Sequence, residues 1–188
     1  MTSGRLEAFS DGVMAILITI MVLELRPPEG TSLDSLKDLS ATLISYILSF
    51  VILGIYWNNH HHLLQATCVV NGRVLWANMH LLFWLSLFPF GAAWMGEHDF
   101  DKVPAGTYGA IMLAAAVAYF VLVRTILSVP GQSTELIEAI GNDVKGKISP
   151  AIYALSIAAA FVSGWLAFAG YVLVAAIWFI PDRRLERR

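Results

Sequence analysis

The residues best placed to do chemistry open the chain, in the run Arg5-Leu6-Glu7-Ala8-Phe9-Ser10-Asp11-Gly12-Val13-Met14-Ala15-Ile16. An acid and a hydroxyl stand at the head of an apolar helical stretch, with Arg5 six residues before Asp11. Ionisable groups in a membrane span are costly, so they face the bundle interior or water and mark functional positions. Two readings are open. Ser10 or Asp11 caps the helix at the interface, with Arg5 among the head groups. Alternatively Asp11 lies inside the span and needs a partner from another helix.

A second cluster, Asn58-Asn59-His60-His61-His62, invites a metal reading. Consecutive histidines do not share a helix face, so they cannot all ligate one ion from one helix. A zinc site usually needs three or four protein ligands; His80 could add one, but HExxH is absent. No metal and no cofactor is expected. One histidine is expected to join Asp11, and its titration near neutrality would make function pH-sensitive.

Nucleophilic catalysis has no support. There is no GxSxG run, and Cys68 has no cationic neighbour in sequence. The phosphate-cradling pattern GxxxxGK[ST] does not occur. With one cysteine there is no internal disulfide, CxxC pair or cysteine-rich zinc site. No enzyme activity is expected, and a net charge of -2 offers no field for nucleic acid.

The elements that position these residues follow from composition. The 188 residues are 57% hydrophobic and 14% charged, against roughly 25% charged in soluble domains. So few polar side chains cannot cover a soluble globule, and disorder needs the opposite composition. The chain reads as an all-α polytopic membrane protein, one domain over residues 1–188. A span needs about 20 apolar residues, which places spans at about 8–25, 40–61, 74–94 and 107–127. Pro27-Pro28 ends the first span, and Pro130-Gly131 breaks the chain after the fourth. The first stretch lacks the basic leader and cleavage site of a signal peptide. Residues 29–38 suit a short interfacial helix or loop. Residues 133–147, with Leu136, Ile137 and Ile140, suit a surface helix.

The apolar stretch from Pro150 to Pro181 is too long for one straight span, at roughly 46 Å against a core of about 30 Å. Ser163-Gly164 offers a break, giving spans at about 149–163 and 165–181. Charge favours this division. Six spans put Arg5, Arg73, Arg124, Lys145, Lys147, Arg183, Arg184, Arg187 and Arg188 on one side, leaving Arg26, Lys37 and Lys102 on the other. By the positive-inside rule both termini are then cytoplasmic.

At about 100° per residue, Ile16, Ile20 and Leu23 share a narrow arc of the first helix. Thr19 flanks it, and Gly12 and Arg5 extend it. Ser10 and Asp11 point elsewhere. An apolar stripe on an apolar helix says little by itself, since lipid contact or ordinary packing explains it equally well.

The run Arg5…Phe9-Ser10-Asp11-Gly12-Val13…Ala15-Ile16…Thr19, followed by Val22-Leu23-Glu24-Leu25, resembles the opening helix of prokaryotic relatives of the lysosomal potassium channel family, transmembrane protein 175. Tyr56-Trp57…His60-His61, Asn78 and Pro89-Phe90 resemble that family's second and third spans. The resemblance covers essentially the whole chain in length and span count.

It implies a six-span subunit that assembles in the lipid bilayer as a homotetramer and conducts potassium ions, with modest preference over sodium. The first helix would line a central pore without the TVGYG carbonyl filter. By the same resemblance Ile16 forms the hydrophobic constriction, with Ile20 and Leu23 further along, and Thr19 assists selectivity. Arg5, Ser10 and Asp11 match a polar network that holds the pore helix, and either His60 or His61 would complete it. A proton-coupled carrier using Asp11 and a histidine is the alternative. A metal-dependent intramembrane hydrolase on His60, His61 and His80 is a further one. The absence of a targeting segment and the single-repeat length suit a bacterial plasma membrane.

Overall fold

Leu6 sits buried one turn into the first helix, and no residue between Ser3 and Asp11 breaks a helix, so α1 starts well before the apolar run does. It spans Ser3–Met21 and tightens into a 3-10 turn, Val22–Glu24, ahead of Pro27-Pro28. Ser10 and Asp11 therefore lie inside the helix. The interfacial-cap reading is overturned: the residue at the cap position is Thr2. Tertiary support for the first turn, from buried Leu6, extends the helix beyond what hydropathy marks.

These elements come from a computed structural model that describes residues 2–28, 30–134, 136 and 144–179. Most of the expected surface helix at 133–147 lies outside the described residues, as does the Arg183–Arg188 cluster.

The short helix α2, Leu33–Lys37, meets the expectation for the polar stretch; Ser32 caps it by accepting from the Ser35 N–H, and Lys37 pairs with Asp34. The second span is α3, Ser40–Gln65, one turn longer than its apolar core. The third is bent into α4, Gly72–Ser86, and α5, Phe88–Glu97. Pro89 has no N–H for the carbonyl one turn back, and at Leu87 the chain tightens, donating instead to Trp84 three residues earlier at 3.2 Å. The fourth is α6, Lys102–Leu127, capped by the Asp101 carboxylate. Then come α7, Val144–Ala160, and α8, Gly164–Phe179.

The division of the last apolar stretch falls where Ser163-Gly164 marks it. Gly164 is obligatory there: a Cβ at this position would overlap the Phe100 carbonyl oxygen. Phe100 and Asp99 hold positive φ angles of 58° and 48° in the turn before α6. That turn and the α7–α8 turn thus pack at the same end.

Among the described residues, four helical segments are long and apolar enough to cross a membrane: Ser3–Glu24, Ser40–Gln65, Gly72–Glu97 and Lys102–Leu127. The last two helices have 17 and 16 residues, a rise of about 24–26 Å against a core of about 30 Å. Of the six spans expected, four are matched by segments of full length, and the last apolar stretch forms two shorter helices.

The four spans pack with α1 against α3, α4 and α5, and with α6 against α4, α5, α7 and α8. The core is anchored by buried Tyr108, Phe88, Tyr171, Met95 and Leu53. Several of its buried hydroxyls are paired. The Ser49 and Tyr108 hydroxyls meet at 2.6 Å, Ser45 donates to the Ala92 carbonyl at 2.6 Å, and Tyr171 donates to the Ala105 carbonyl at 2.9 Å. At Gly96 a Cβ would press on the Thr42 backbone, so this glycine lets α5 approach α3 closely.

One bridge fixes which ends lie together. The Cys68 N–H donates to Gln132 Oε1 at 3.0 Å, and Gln132 Nε2 donates to the Val69 carbonyl at 2.9 Å. The α3–α4 link and the segment after α6 therefore meet at one end of the bundle.

Candidate functional site

The two faces of α1 divide the sequence-derived residues into two sets. The buried face carries Leu6, Ser10, Met14, Leu17 and Met21 at helical spacing. The opposite face stands clear of the subunit. There Ile16 is 57% exposed, Ile20 41% and Leu23 75%, and Gly12 and Thr19 are exposed with them. The Thr19 hydroxyl donates to the Ile16 carbonyl at 2.9 Å. Its proton is thereby used within the helix, which leaves the exposed oxygen an acceptor.

On the buried face the first polar layer is a directed chain across three helices. His60 Nε2 meets Asn78 Oδ1 at 2.6 Å, Asn78 Nδ2 donates to Ser10 Oγ at 2.9 Å, and Ser10 donates to the Leu6 carbonyl at 2.9 Å. His60, Asn78 and Ser10 are each fully buried. With an amide oxygen as its partner, His60 carries its proton on Nε2; Nδ1 has no partner. An apolar surround makes each of these bonds costly to strand.

The second layer lies beside it, towards the start of α1. His61 Nδ1 is 3.0 Å from Glu7 Oε1 and 3.4 Å from Asp11 Oδ2, at ion-pair distance from both but without a directed hydrogen bond to either. Trp57 stacks on the His61 ring, centroids 5.7 Å apart, and Gln65 meets its Nε2 at 2.9 Å. All three ionisable residues are part-buried. Asp11 Oδ1 is shielded from water and has no hydrogen-bond partner.

The sequence left His60 and His61 as alternatives, and the structure uses both, one per layer. Asp11 finds its partner on another helix, as expected of an acid inside a span. Arg5 does not join: it is exposed and pairs with no acid among the described residues. Two participants were not assigned to the network from sequence: Glu7, and Asn78, which entered only as a residue of the family resemblance. Glu7 and Asp11 are an i, i+4 acidic pair on one face, and Asn78 is a lone amide in an apolar span; these were the available signals.

The three-histidine hydrolase set does not form. His80 instead accepts from the Trp84 indole N–H at 2.9 Å. Among the described residues the one group of metal-capable donors is Glu7, Asp11 and His61, whose ligand atoms lie within 4.8 Å of one another.

Comparison with known proteins places this geometry. The family model described as "Endosomal/lysosomal potassium channel TMEM175" matches residues 5–89, which hold every residue of both layers. A protein of Chryseobacterium sp. (strain P1-3), named a potassium channel, is 51% identical over 187 residues, covering 100% of this chain and 97% of its own. The chain belongs to the TMEM175 family. The crystal structure of a TMEM175 homologue from Chamaesiphon minutus, titled a lysosomal potassium-selective channel homologue, superposes with a TM-score of 0.85 at 27% identity, covering 97% of both chains. TMEM175 of Rattus norvegicus, named an endosomal/lysosomal proton channel, is 27% identical over 121 residues; the chain spans 24% of that protein's length. This TMEM175-family chain is thus an integral membrane protein with the all-helical channel fold, from a family whose named members are channels.

Proposed function

We propose that the chain forms a potassium-permeable cation channel whose pore is lined by the exposed face of α1 in a homotetramer. The observation that carries this reading is the stripe of Ile16, Ile20 and Leu23, left uncovered on a helix whose other face the polar layers anchor. Supporting it, the bacterial relative at 51% identity is named a potassium channel.

Four copies of Ile16 make a dry ring that gates by dewetting and conducts when it widens. Ile20 and Leu23 lengthen the apolar passage. A partly dehydrated potassium ion crosses such a ring more easily than sodium, because potassium holds its water less tightly. The Thr19 hydroxyl oxygens replace some of the lost water one turn beyond Ile16. Preference for potassium is then modest, since no carbonyl filter is present in the sequence. Ser10, Asn78 and His60, with Asp11 and His61, hold α1 at a fixed rotation so that the stripe faces the axis. Arg5 acts at the exposed cytoplasmic end of the same helix.

Six spans with α7 and α8 as short crossings, both termini cytoplasmic in a bacterial plasma membrane, fit the charge distribution. The Gln132 bridge supports this arrangement, because it gathers Arg73 and Arg124 at the same end of the bundle.

The test is potassium flux from proteoliposomes of the purified chain, with sodium and protonophore controls. Fast flux that persists without a proton gradient is expected. Absence of flux, or flux that strictly follows the proton gradient, would overturn the reading. The second outcome would favour proton permeation or a proton-coupled carrier through Asp11 and His61. Two observations make that the second reading: the animal relatives are named proton channels, and Glu7, Asp11 and His61 form a titratable cluster on α1.

A further inference from the structure

We propose that Glu7, Asp11 and His61 form a binding site for a divalent transition-metal ion of the zinc class, which ties α1 to α3. The inference stands independently of the conduction reading, because it concerns three donors and their geometry.

The donor set is mixed: two carboxylate oxygens from successive turns of α1 and one imidazole nitrogen from α3. Borderline ions such as zinc and cobalt take this set, whereas calcium and magnesium favour oxygen alone. The spacing suits those ions. A metal about 2.1 Å from each donor sets donor–donor edges of about 3.0 Å in octahedral and about 3.4 Å in tetrahedral geometry. His61 Nδ1 lies 3.0 Å from Glu7 Oε1 and 3.4 Å from Asp11 Oδ2.

The polar atoms are also unspent. His61 Nδ1 makes no hydrogen bond, although it sits between two carboxylates, and Asp11 Oδ1 is shielded and unpartnered. A metal satisfies the first directly and allows Asp11 to bind through both oxygens. Two negative charges in a part-buried site at the end of an apolar bundle offset the desolvation of a divalent cation.

The ring is already oriented for the task. Trp57 stacks on it at an interplanar angle of 30°, and the Gln65 amide meets Nε2 at 2.9 Å. The amide nitrogen of Gln65 faces Nε2 here; turning the amide over presents its carbonyl oxygen, which accepts the Nε2–H and leaves the Nδ1 lone pair free for the ion. Such a partner on the far nitrogen is what metal-bound histidines require. Three protein ligands leave positions for water, so the ion is exchangeable.

The experiment uses the untagged full chain in detergent, stripped with chelator and titrated with Zn2+ by calorimetry and with Co2+ by visible absorption. One saturable ion per chain is expected, with cobalt d–d bands of a mixed nitrogen–oxygen set. Glu7→Gln and His61→Gln should each weaken binding by about tenfold or more. They should also abolish the rise in thermal midpoint that Zn2+ gives the wild type. His62→Gln, one position along the same helix, should leave binding unchanged. Non-saturable binding, undiminished affinity in both variants, or an equal loss in His62→Gln would overturn the proposal. If either triad variant fails to fold, Gln65→Leu serves in its place, with weakened Zn2+ affinity expected and unchanged affinity counting against the site.

Discussion

Opposite faces of α1 carry opposite kinds of residue. Inward, Leu6, Ser10, Met14, Leu17 and Met21 are buried, and Ser10 is tied through Asn78 to His60. Outward, Gly12, Ile16, Thr19, Ile20 and Leu23 are exposed, and the one polar group, Thr19, spends its proton on its own helix. In a bilayer, burying apolar surface between helices gives little driving force, so packing and interhelical hydrogen bonds fix a helix's rotation. The inward face therefore supplies orientation, and the outward face supplies whatever α1 presents to its surroundings.

The contrast breaks most severely at Asn78. Asn78→Leu removes both interhelical bonds of the inner layer and strands His60, leaving Ser10 only its bond to the Leu6 carbonyl, which should cost about 2–3 kcal/mol. A large drop in the thermal midpoint in detergent would show it; an unchanged midpoint would mean that the layer does not hold α1.

Ile16→Asn attacks the other face and should leave that midpoint unaltered. By wetting the ring it should raise proteoliposome current about tenfold, equivalent to a barrier lowered by about 1.4 kcal/mol, with weaker potassium preference. Unchanged current and selectivity would remove Ile16 from the pore. Ser10→Ala deletes the one interhelical bond Ser10 accepts from Asn78 together with its bond to the Leu6 carbonyl, and should cost about 1 kcal/mol, visible in the same melting assay. Thr19→Val keeps shape and loses the hydroxyl, so a smaller potassium-to-sodium permeability ratio is expected, with fold and assembly intact.

The smallest effect should come from His61→Gln. His61 faces Glu7 and Asp11 on α1, with His60 and His62 beside it on α3. Removing the imidazole loosens this tie between α3 and α1, so potassium flux through the variant should fall slightly below wild type at one fixed pH. Identical flux would separate His61 from the support of α1.

Two neighbouring histidines carry the same lesson at finer scale. His60 is fully buried and serves one oriented chain, whereas His61, one residue along and about 100° round the helix, meets two carboxylates. Consecutive position in sequence told only that they could not share a face.

Composition, the proline and glycine breaks and the hydropathy runs determined that this is an all-helical membrane chain, with the last apolar stretch divided at Ser163-Gly164. Periodicity determined which residues of α1 share the Ile16 stripe, because every residue of one helix turns by the same angle. Helix starts were less legible. Hydropathy marks where lipid begins, while buried Leu6 extends α1 through packing that hydropathy does not register. Which face of α1 is covered, that Asn78 joins Ser10 to His60, that Glu7 shares His61 with Asp11, and that Arg5 stands apart were decided by tertiary structure alone. Pairing across helices depends on their relative rotation and offset, and those follow from close packing at positions such as Gly96 against Thr42 rather than from any single segment's sequence.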